Sequence, residues 1–462
     1  MSAKPDVKTE AKTLNLQEFL SNNKFSGFQI GLYFMLLIIL LFNGVSIAMS
    51  GFAGPFLQAE WHLDPKALPA IYIWAMAAVQ LGAVFGALIG GPVADRFGRK
   101  NVVIVSALIF SFFNIICGFV QDPGQMAVVR FITGLGIGGA LANSVPLFSE
   151  FCPVKRRSFL TTLMYCGFPF GSALGGFFGA ATITATGWRM FYWLMGIFPL
   201  VLVIIFAFFI PESVRFMIYK KAPADKIRAV LSKIAAVPAG VTEFISGEKE
   251  ATSDEKKEGA GLVMSKYYLV GTLMLWITYF CGLVIVYSLQ QWLPTLLPLA
   301  SNGAIDKPTA MFIASLYNLG APLAIVLGLI MDRKNPNIVV SVTYALTFVF
   351  VLMIGFTFNS NLLVLGAMVF LGGMFINVAQ SAMPSLAAPF YPAKGRATGV
   401  SWMTGIGRVG GVLGIVLFGS LFNSMKSANI SYFTMIAIVA VFGLICSAAL
   451  LVKNGVYKNK KE

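Results

Sequence analysis

Long, unbroken apolar runs recur along the whole 462-residue chain, far more of them than one water-soluble core could absorb. They fall at about 30–56, 70–91, 101–120, 126–149, 160–182 and 190–210. After a polar stretch at about 211–265 they resume at about 266–298, 309–331, 337–358, 361–390, 397–422 and 431–452. Each is long enough for a hydrocarbon layer that takes roughly 20 apolar residues to cross. Backbone groups in lipid must be satisfied within their own segment, and the runs carry Gly and Ala freely, so they are read as helices. Only 11% of the residues are charged, against about a quarter for a soluble domain. The sequence therefore predicts an all-α polytopic membrane protein of 12 transmembrane helices in two six-helix bundles. The expected divisions are a tail at 1–28, a bundle at 29–212, a linker at 213–265, a second bundle at 266–452 and a tail at 453–462.

The formal charge of +15 would suggest nucleic acid in a soluble protein. Here the cations sit in short loops between apolar runs, the pattern that sets membrane orientation, and no nucleic-acid partner is expected. Arg96, Arg99 and Lys100 follow the second run, Lys155, Arg156 and Arg157 the fourth, Arg333 and Lys334 the eighth, and Lys394 and Arg396 the tenth. The opposite loops carry only Lys66, Lys307 and Lys426, with Arg189 at a helix start. Both termini and the linker are thus expected in the cytoplasm, with the chain multi-pass in a plasma membrane, the bacterial inner membrane in particular, and membrane lipid around it. The linker stretch "KKAPADKIRAVLSKI" has an amphipathic pattern suited to a membrane surface. Five scattered cysteines and one histidine, His62, give no metal-ligand pattern, and no cofactor is expected.

Chemistry begins at the loops. "GPVADRFGRK" ends the second run and "GLIMDRKNPN" the eighth, so Asp-Arg stands at matching ends of the two halves, a six-run unit used twice. Gly91 is expected to let two helices approach closely. Asp95, Arg96 and Arg99, with Asp332 and Arg333 in the second half, are expected to make charged hydrogen bonds that latch the cytoplasmic side.

These strings resemble the signature loop of the major facilitator superfamily. "RFITGLGIGGALANSVPLFSE", "LMYCGFPFGSALGG" and "IPESVRF" resemble its fourth, fifth and sixth helices. "SEFCPVKRRS", "QQWLPTLL" and "YPAKGRATGVSWMTGIGRVGG" resemble the aromatic acid:proton symporter family. The resemblance implies alternating access around a central path bordered by helices one, four, seven and ten, in a protein that is a monomer by default. It also implies a pair of helix-one aspartates tied to proton coupling. This chain instead reads "FNGVSIAMSGFAGP", with Asn43 and Ser46 at those places.

Charges inside a membrane are costly and usually functional. Arg130 lies a turn or two inside the fourth run and Arg408 near the middle of the eleventh, with no carboxylate at comparable depth. A carboxylate substrate could offer Arg408 two parallel hydrogen bonds, and Arg130 divides between a structural role and a coupling one. Asn43, Ser46, Tyr287, Gln290, Gln291, Tyr317, Asn318, Asn377, Gln380 and Trp402 supply donors and rings at similar depth and complete the expected substrate site. Trp61, Trp188 and Trp292 read as anchors at helix ends.

The expectation is a secondary transporter of small organic anions, aromatic or related carboxylates, with a proton as possible co-substrate. Anion exchange and uncoupled facilitation are the alternatives. A membrane enzyme would need a mid-span nucleophile, base or metal that the runs lack, and a sensor would need a larger cytoplasmic region. Sugar carriers favour amides over buried charge, and cationic-drug pumps favour a buried acid.

Overall fold

A computed structural model describes residues 12–64, 68–238, 241–246, 261–331, 333–428 and 430–458. Twelve helices among these are long and apolar enough to cross a membrane. In chain order they are α1 (Gly27–Glu60), α2 (Ala70–Phe97), α3 (Arg99–Cys117), α4 (Pro123–Ser149), α5 (Phe159–Thr186) and α6 (Trp188–Phe209). The second six are α7 (Leu269–Ala300), α8 (Lys307–Met331), α9 (Pro336–Phe356), α10 (Leu362–Phe390), α11 (Thr398–Ser424) and α12 (Tyr432–Tyr457). The chain is a multi-pass membrane protein, and side chains such as Leu88, Phe208 and Leu363 stand exposed on its outer, lipid-facing surface.

The halves repeat one packing plan. In the first, α1 packs on α5, α2 on α4, and α3 on both α4 and α6; in the second, α7 packs on α11, α8 on α10, and α9 on both α10 and α12. Glycine makes the tightest of these crossings possible, because lipid gives helices no hydrophobic reason to associate and close backbone contact must do so. At the α2–α4 crossing, Gly82 and Gly86 lie against the carbonyls of Phe131 and Leu135. Gly134 and Gly138 return the contact to those of Val79 and Ala83. Gly136 and Gly139 face the other way, onto Ser106 of α3. Gly91, expected to be such a contact, has open space where a Cβ would stand. The tight neighbours are Gly90, against Gly139, and Gly98, whose φ of +97° turns the chain from α2 into α3 beneath the Glu212 carboxylate.

Three pairs join the bundles: α1–α7, α2–α11 and α5–α8. Their hydrogen bonds gather toward the face remote from the Arg96–Arg99 loop. There Asn423 Nδ2 donates to the Leu68 carbonyl (2.8 Å) and Lys307 Nζ to the Pro55 carbonyl (3.0 Å). Trp292, expected at a helix end as an anchor, is instead buried within α7 and donates to the Ile415 carbonyl of α11 (2.9 Å). On the loop face Asp95, Arg96, Phe97 and Arg333 are exposed and Tyr165 is half open.

The amino-terminal segment is more than a tail. Strand β1 (Lys12–Asn15) pairs in parallel with β2 (Val241–Ile245) of the linker, and the helix Leu16–Asn22 buries Leu16, Phe19 and Leu20. The linker helix Ala224–Leu231 is amphipathic as expected, but its Ile227 and Leu231 are buried in the protein's own core rather than left for a membrane surface.

Candidate functional site

Arg408 lies at the α2–α11 seam, within reach of α5 and α7. It lies on α11 between two helix-packing glycines, and both are needed: a Cβ at Gly407 would collide with the Tyr279 ring, and one at Gly411 would sit 2.6 Å from Tyr287 Cδ2. Small residues on either side thus let two aromatic rings of α7 lie flat on the α11 backbone beside the guanidinium. Tyr165 of the first bundle completes a trio of tyrosines within electrostatic reach of Arg408. The guanidinium is half-buried, and its one hydrogen bond, to the Ala83 carbonyl across the seam, is long at 3.5 Å. Gln80 of α2 lies beside Tyr287 and Gly411 and has a buried side-chain oxygen without a partner. The result is a cation with spare donors, flanked by rings and an amide, at the junction of the two bundles.

The other expected site residues divide by location. Gln290 and Gln291 are buried in the bundle seam. Gln290 donates to Ser172 Oγ (3.3 Å), and Gln291 donates to the Ile47 (3.2 Å) and Met76 (3.5 Å) carbonyls, so Gln291 clasps α7 to α1 and α2. Tyr317, Asn318, Asn377 and Gln380 sit inside the second bundle. Asn377 donates to the Tyr317 (3.1 Å) and Gly373 (2.8 Å) carbonyls, and Gln380 takes the Tyr344 hydroxyl (3.0 Å) and reaches the Tyr279 carbonyl (3.2 Å). These amides peg α8, α9 and α10 to one another, and Gln380 also buttresses the strand of α7 that bears Tyr279. Trp402 is exposed on the α11 flank against Trp276, with ring centroids 6.2 Å apart.

Asn43, Ser46 and Arg130 belong to a separate polar layer within the first bundle. Arg130 is completely buried; Nε donates to Ser50 Oγ (2.9 Å), Nη1 to Asn114 Oδ1 (3.1 Å) and Nη2 to the Ser46 carbonyl, under the face of Tyr192 (5.7 Å). Ser46 Oγ and the Asn114 amide are bonded to each other (2.9–3.0 Å). Asn43 is completely buried, and neither end of its amide has a hydrogen-bond partner among the described residues.

The loop face carries the charged cluster. Arg99 Nε meets Glu150 Oε1 (3.1 Å), Ser213 Oγ donates to the other Glu150 oxygen, and Glu212 Oε1 accepts the backbone N–H of Lys100 (3.1 Å) and of Ser213 (2.8 Å). Burial pushes the Glu150 carboxyl above the usual carboxylate range, with Arg99 and Ser213 opposing the shift. Of the expected latch, Arg99 is engaged; Asp95 and Arg96 form no ion pair with another described residue, and Asp332 lies outside the described residues.

Residues 36–414 match the family described as Major Facilitator Superfamily. The chain belongs to the major facilitator superfamily. Among superfamily relatives it is 38% identical to the 4-hydroxybenzoate transporter PcaK of Acinetobacter baylyi, over 98% of this chain and 97% of that one. It is 37% identical to a gallate transporter of Pseudomonas putida, over 88% and 89% of the two lengths. Its fold is similar to that of a bacterial homolog of the human lysosomal transporter Spinster, with a TM-score of 0.70 and 15% identity over 94% of this chain and 99% of that one.

Within this superfamily member, Tyr165, Tyr279 and Gln80 are the site residues that the sequence did not single out. The glycines at 407 and 411, one before and three after Arg408, signal room on α11 for a neighbour's side chains, but not that Tyr279 is one of those that fill it. Glu150 and Glu212 are likewise absent from the expected latch, although "SEFCPVKRRS" and "IPESVRF" contain them.

Proposed function

We propose that this transporter carries small aromatic carboxylates, hydroxybenzoate-like acids first among them, across the bacterial inner membrane by alternating access. The observation that carries the reading is Arg408: a half-buried guanidinium with donors to spare, three tyrosines within electrostatic reach and no carboxylate more than one turn inside any span to neutralise it. A substrate carboxylate would take the guanidinium fork while its ring stacks on Tyr279 or Tyr287 and a ring hydroxyl reaches Gln80. The names of the 38% and 37% identical relatives agree with a hydroxylated benzoate. On this reading the Arg96–Arg99 face is cytoplasmic, the bundles are open to the cytoplasm, and Asp95, Arg96 and Arg333 have no ion-pair partner among the described residues because the latch they form belongs to the opposite state.

With Asn43 and Ser46 in helix one, a proton that accompanies the substrate crosses on the substrate or on a group outside the spans. Anion exchange is favoured as the second reading by that same lack of internal acids. Uptake of labelled 4-hydroxybenzoate, benzoate and gallate into proteoliposomes, with and without an inward proton gradient, tests both. Gradient-driven accumulation establishes symport; uptake that requires acid inside establishes exchange. Failure to carry any of the three acids overturns the substrate class.

A further inference from the structure

The membrane interior of this protein holds two guanidinium groups and no carboxylate. None of the nineteen Asp and Glu residues stands more than one turn inside a span, whereas Arg130 and Arg408 are deep within theirs. A carboxylate substrate at Arg408 answers one charge. Arg130 remains, completely buried in the other polar layer, where the groups that face it among the described residues are neutral: Ser50, Asn114, the Ser46 carbonyl, the Tyr192 ring and the Cys117 thiol. Three of its five N–H groups have oxygen acceptors among the described residues, and the Cys117 sulfur, a weak acceptor, is the further partner for the remaining two. An unpaired cation in a low-dielectric interior is expensive, and proteins normally supply an opposite charge or give up the ionised form, which arginine does not do.

The surroundings of Arg130 point to where that charge comes from. Asn43, Ser46 and Ser50 fall at i, i+3 and i+7 on one face of α1, and the latter two already touch the guanidinium. Asn43, the third of the set, is completely buried with both the N–H groups and the oxygen of its amide unmatched, so its two donors are available to a ligand. The Tyr192 hydroxyl, beside Ser50 and under the same guanidinium, also lacks a hydrogen bond of good geometry. Unused or weakly matched donors from an amide, a phenol and a guanidinium therefore collect in one buried layer, a donor surplus with a positive charge at its centre. That is the chemistry of a small-anion site.

We propose that the first bundle binds a small monovalent inorganic anion, chloride in ordinary buffers, as the counter-ion of Arg130, with Asn43 and Tyr192 donating to it. The site is distinct from Arg408 and does not depend on the identity of the transported acid. It makes a specific substitution informative: a carboxylate at position 43 would be an internal anion and would remove the need for an external one.

The test uses the full-length protein in lipid nanodiscs at pH 8, with chloride replacing gluconate at constant ionic strength and thermal unfolding as the readout. The wild type is expected to show a saturable rise in Tm, of about 2 °C or more, that bromide reproduces. Asn43→Asp is expected to be stable in gluconate alone and to need at least ~10-fold more chloride for any further rise, about 1.4 kcal/mol of lost affinity. Should that variant not fold, Ser46→Asp places the same charge one turn along. Arg408→Ala is expected to keep the chloride response. A wild type indifferent to chloride overturns the proposal, as does a response that persists in the aspartate variants. Loss of the response in Arg408→Ala, or competition by benzoate for chloride in that variant, would also overturn it by assigning the anion to the substrate.

Discussion

At the scale of single residues, Arg408 and Glu150 carry opposite lessons about burial. Arg408 keeps its donors available because glycines at 407 and 411 give the space around it to rings instead of to its own helix. Arg408→Ala is expected to weaken binding of 4-hydroxybenzoate by about 10- to 100-fold, the worth of a charge-assisted hydrogen-bond pair, with folding intact. Arg408→Lys should recover only part of this, because an ammonium restores charge without the planar fork. Titration calorimetry on the purified protein reads both; unchanged affinity in the alanine variant removes Arg408 from the site. Glu150 is the reverse, an acid whose burial raises its pKa despite Arg99 beside it. A raised folded-state pKa means that the folded protein holds the proton more tightly than the unfolded chain. The resulting stability is complete below the ordinary carboxylate pKa and fades as pH rises through the raised value. Glu150→Gln should flatten the wild type's fall in Tm over the window that opens just above the usual carboxylate range. A fall of equal slope in the variant would place the titrating group elsewhere.

At the scale of elements, two glycines of one loop separate what the sequence could show from what it could not. "GPVADRFGRK" announces a special turn, yet Gly91 faces open space, and Gly98 is the residue held at a φ of +97° with a carboxylate above it. Gly91→Ala is therefore expected to leave thermal stability within about 0.5 kcal/mol of the wild type. Gly98→Ala should lower it by roughly 1–3 kcal/mol, because it adds both a left-handed alanine and a clash with Glu212. Equal effects of the two in a thermal-shift assay would contradict the geometry. The twelve spans and their six-by-six repeat were legible because apolar length and period are properties of a segment alone. Contacts between distant segments are not: nothing local in "KTLN" foretells its pairing with Val241–Ile245. Trp292 looked like an interfacial anchor because it stands near the end of its apolar run, whereas on α7 its ring turns inward and donates to the Ile415 carbonyl. Of the candidate site, Arg408 and Tyr287 could be found from depth and chemistry. Tyr165, Tyr279 and Gln80 could not, since their relevance is fixed by which face of each helix meets the other bundle. The same limit explains why Asn377 and Gln380, similar in composition and depth, proved to be pegs inside one bundle.

At the scale of the whole molecule, the side-chain bonds between the bundles gather toward the face remote from the Arg96–Arg99 loop, so the contacts that close that far face are the ones a change of state must break. Asn423 holds the Leu68 carbonyl at 2.8 Å, Lys307 reaches Pro55 at 3.0 Å, and Gln291 clasps α1 and α2 from α7. Each runs from a side chain of the second bundle to a backbone oxygen of the first. Rocking about the centre can thus release them without leaving a charge unpaired within the first bundle, and the carbonyls then turn to water. If this set is the far gate, tying it shut must stop turnover without blocking access from the open side. A cysteine pair at Leu68 and Asn423 provides the tie, since the five native cysteines are all buried and poorly placed to compete. Under oxidation the Leu68→Cys, Asn423→Cys protein is expected to bind 4-hydroxybenzoate within about 3-fold of its reduced form, while proteoliposome counterflow falls by at least ~10-fold and returns with reductant. Continued counterflow in a fully cross-linked sample would mean that α2 and α11 need not separate there, and that the path to the far side runs elsewhere.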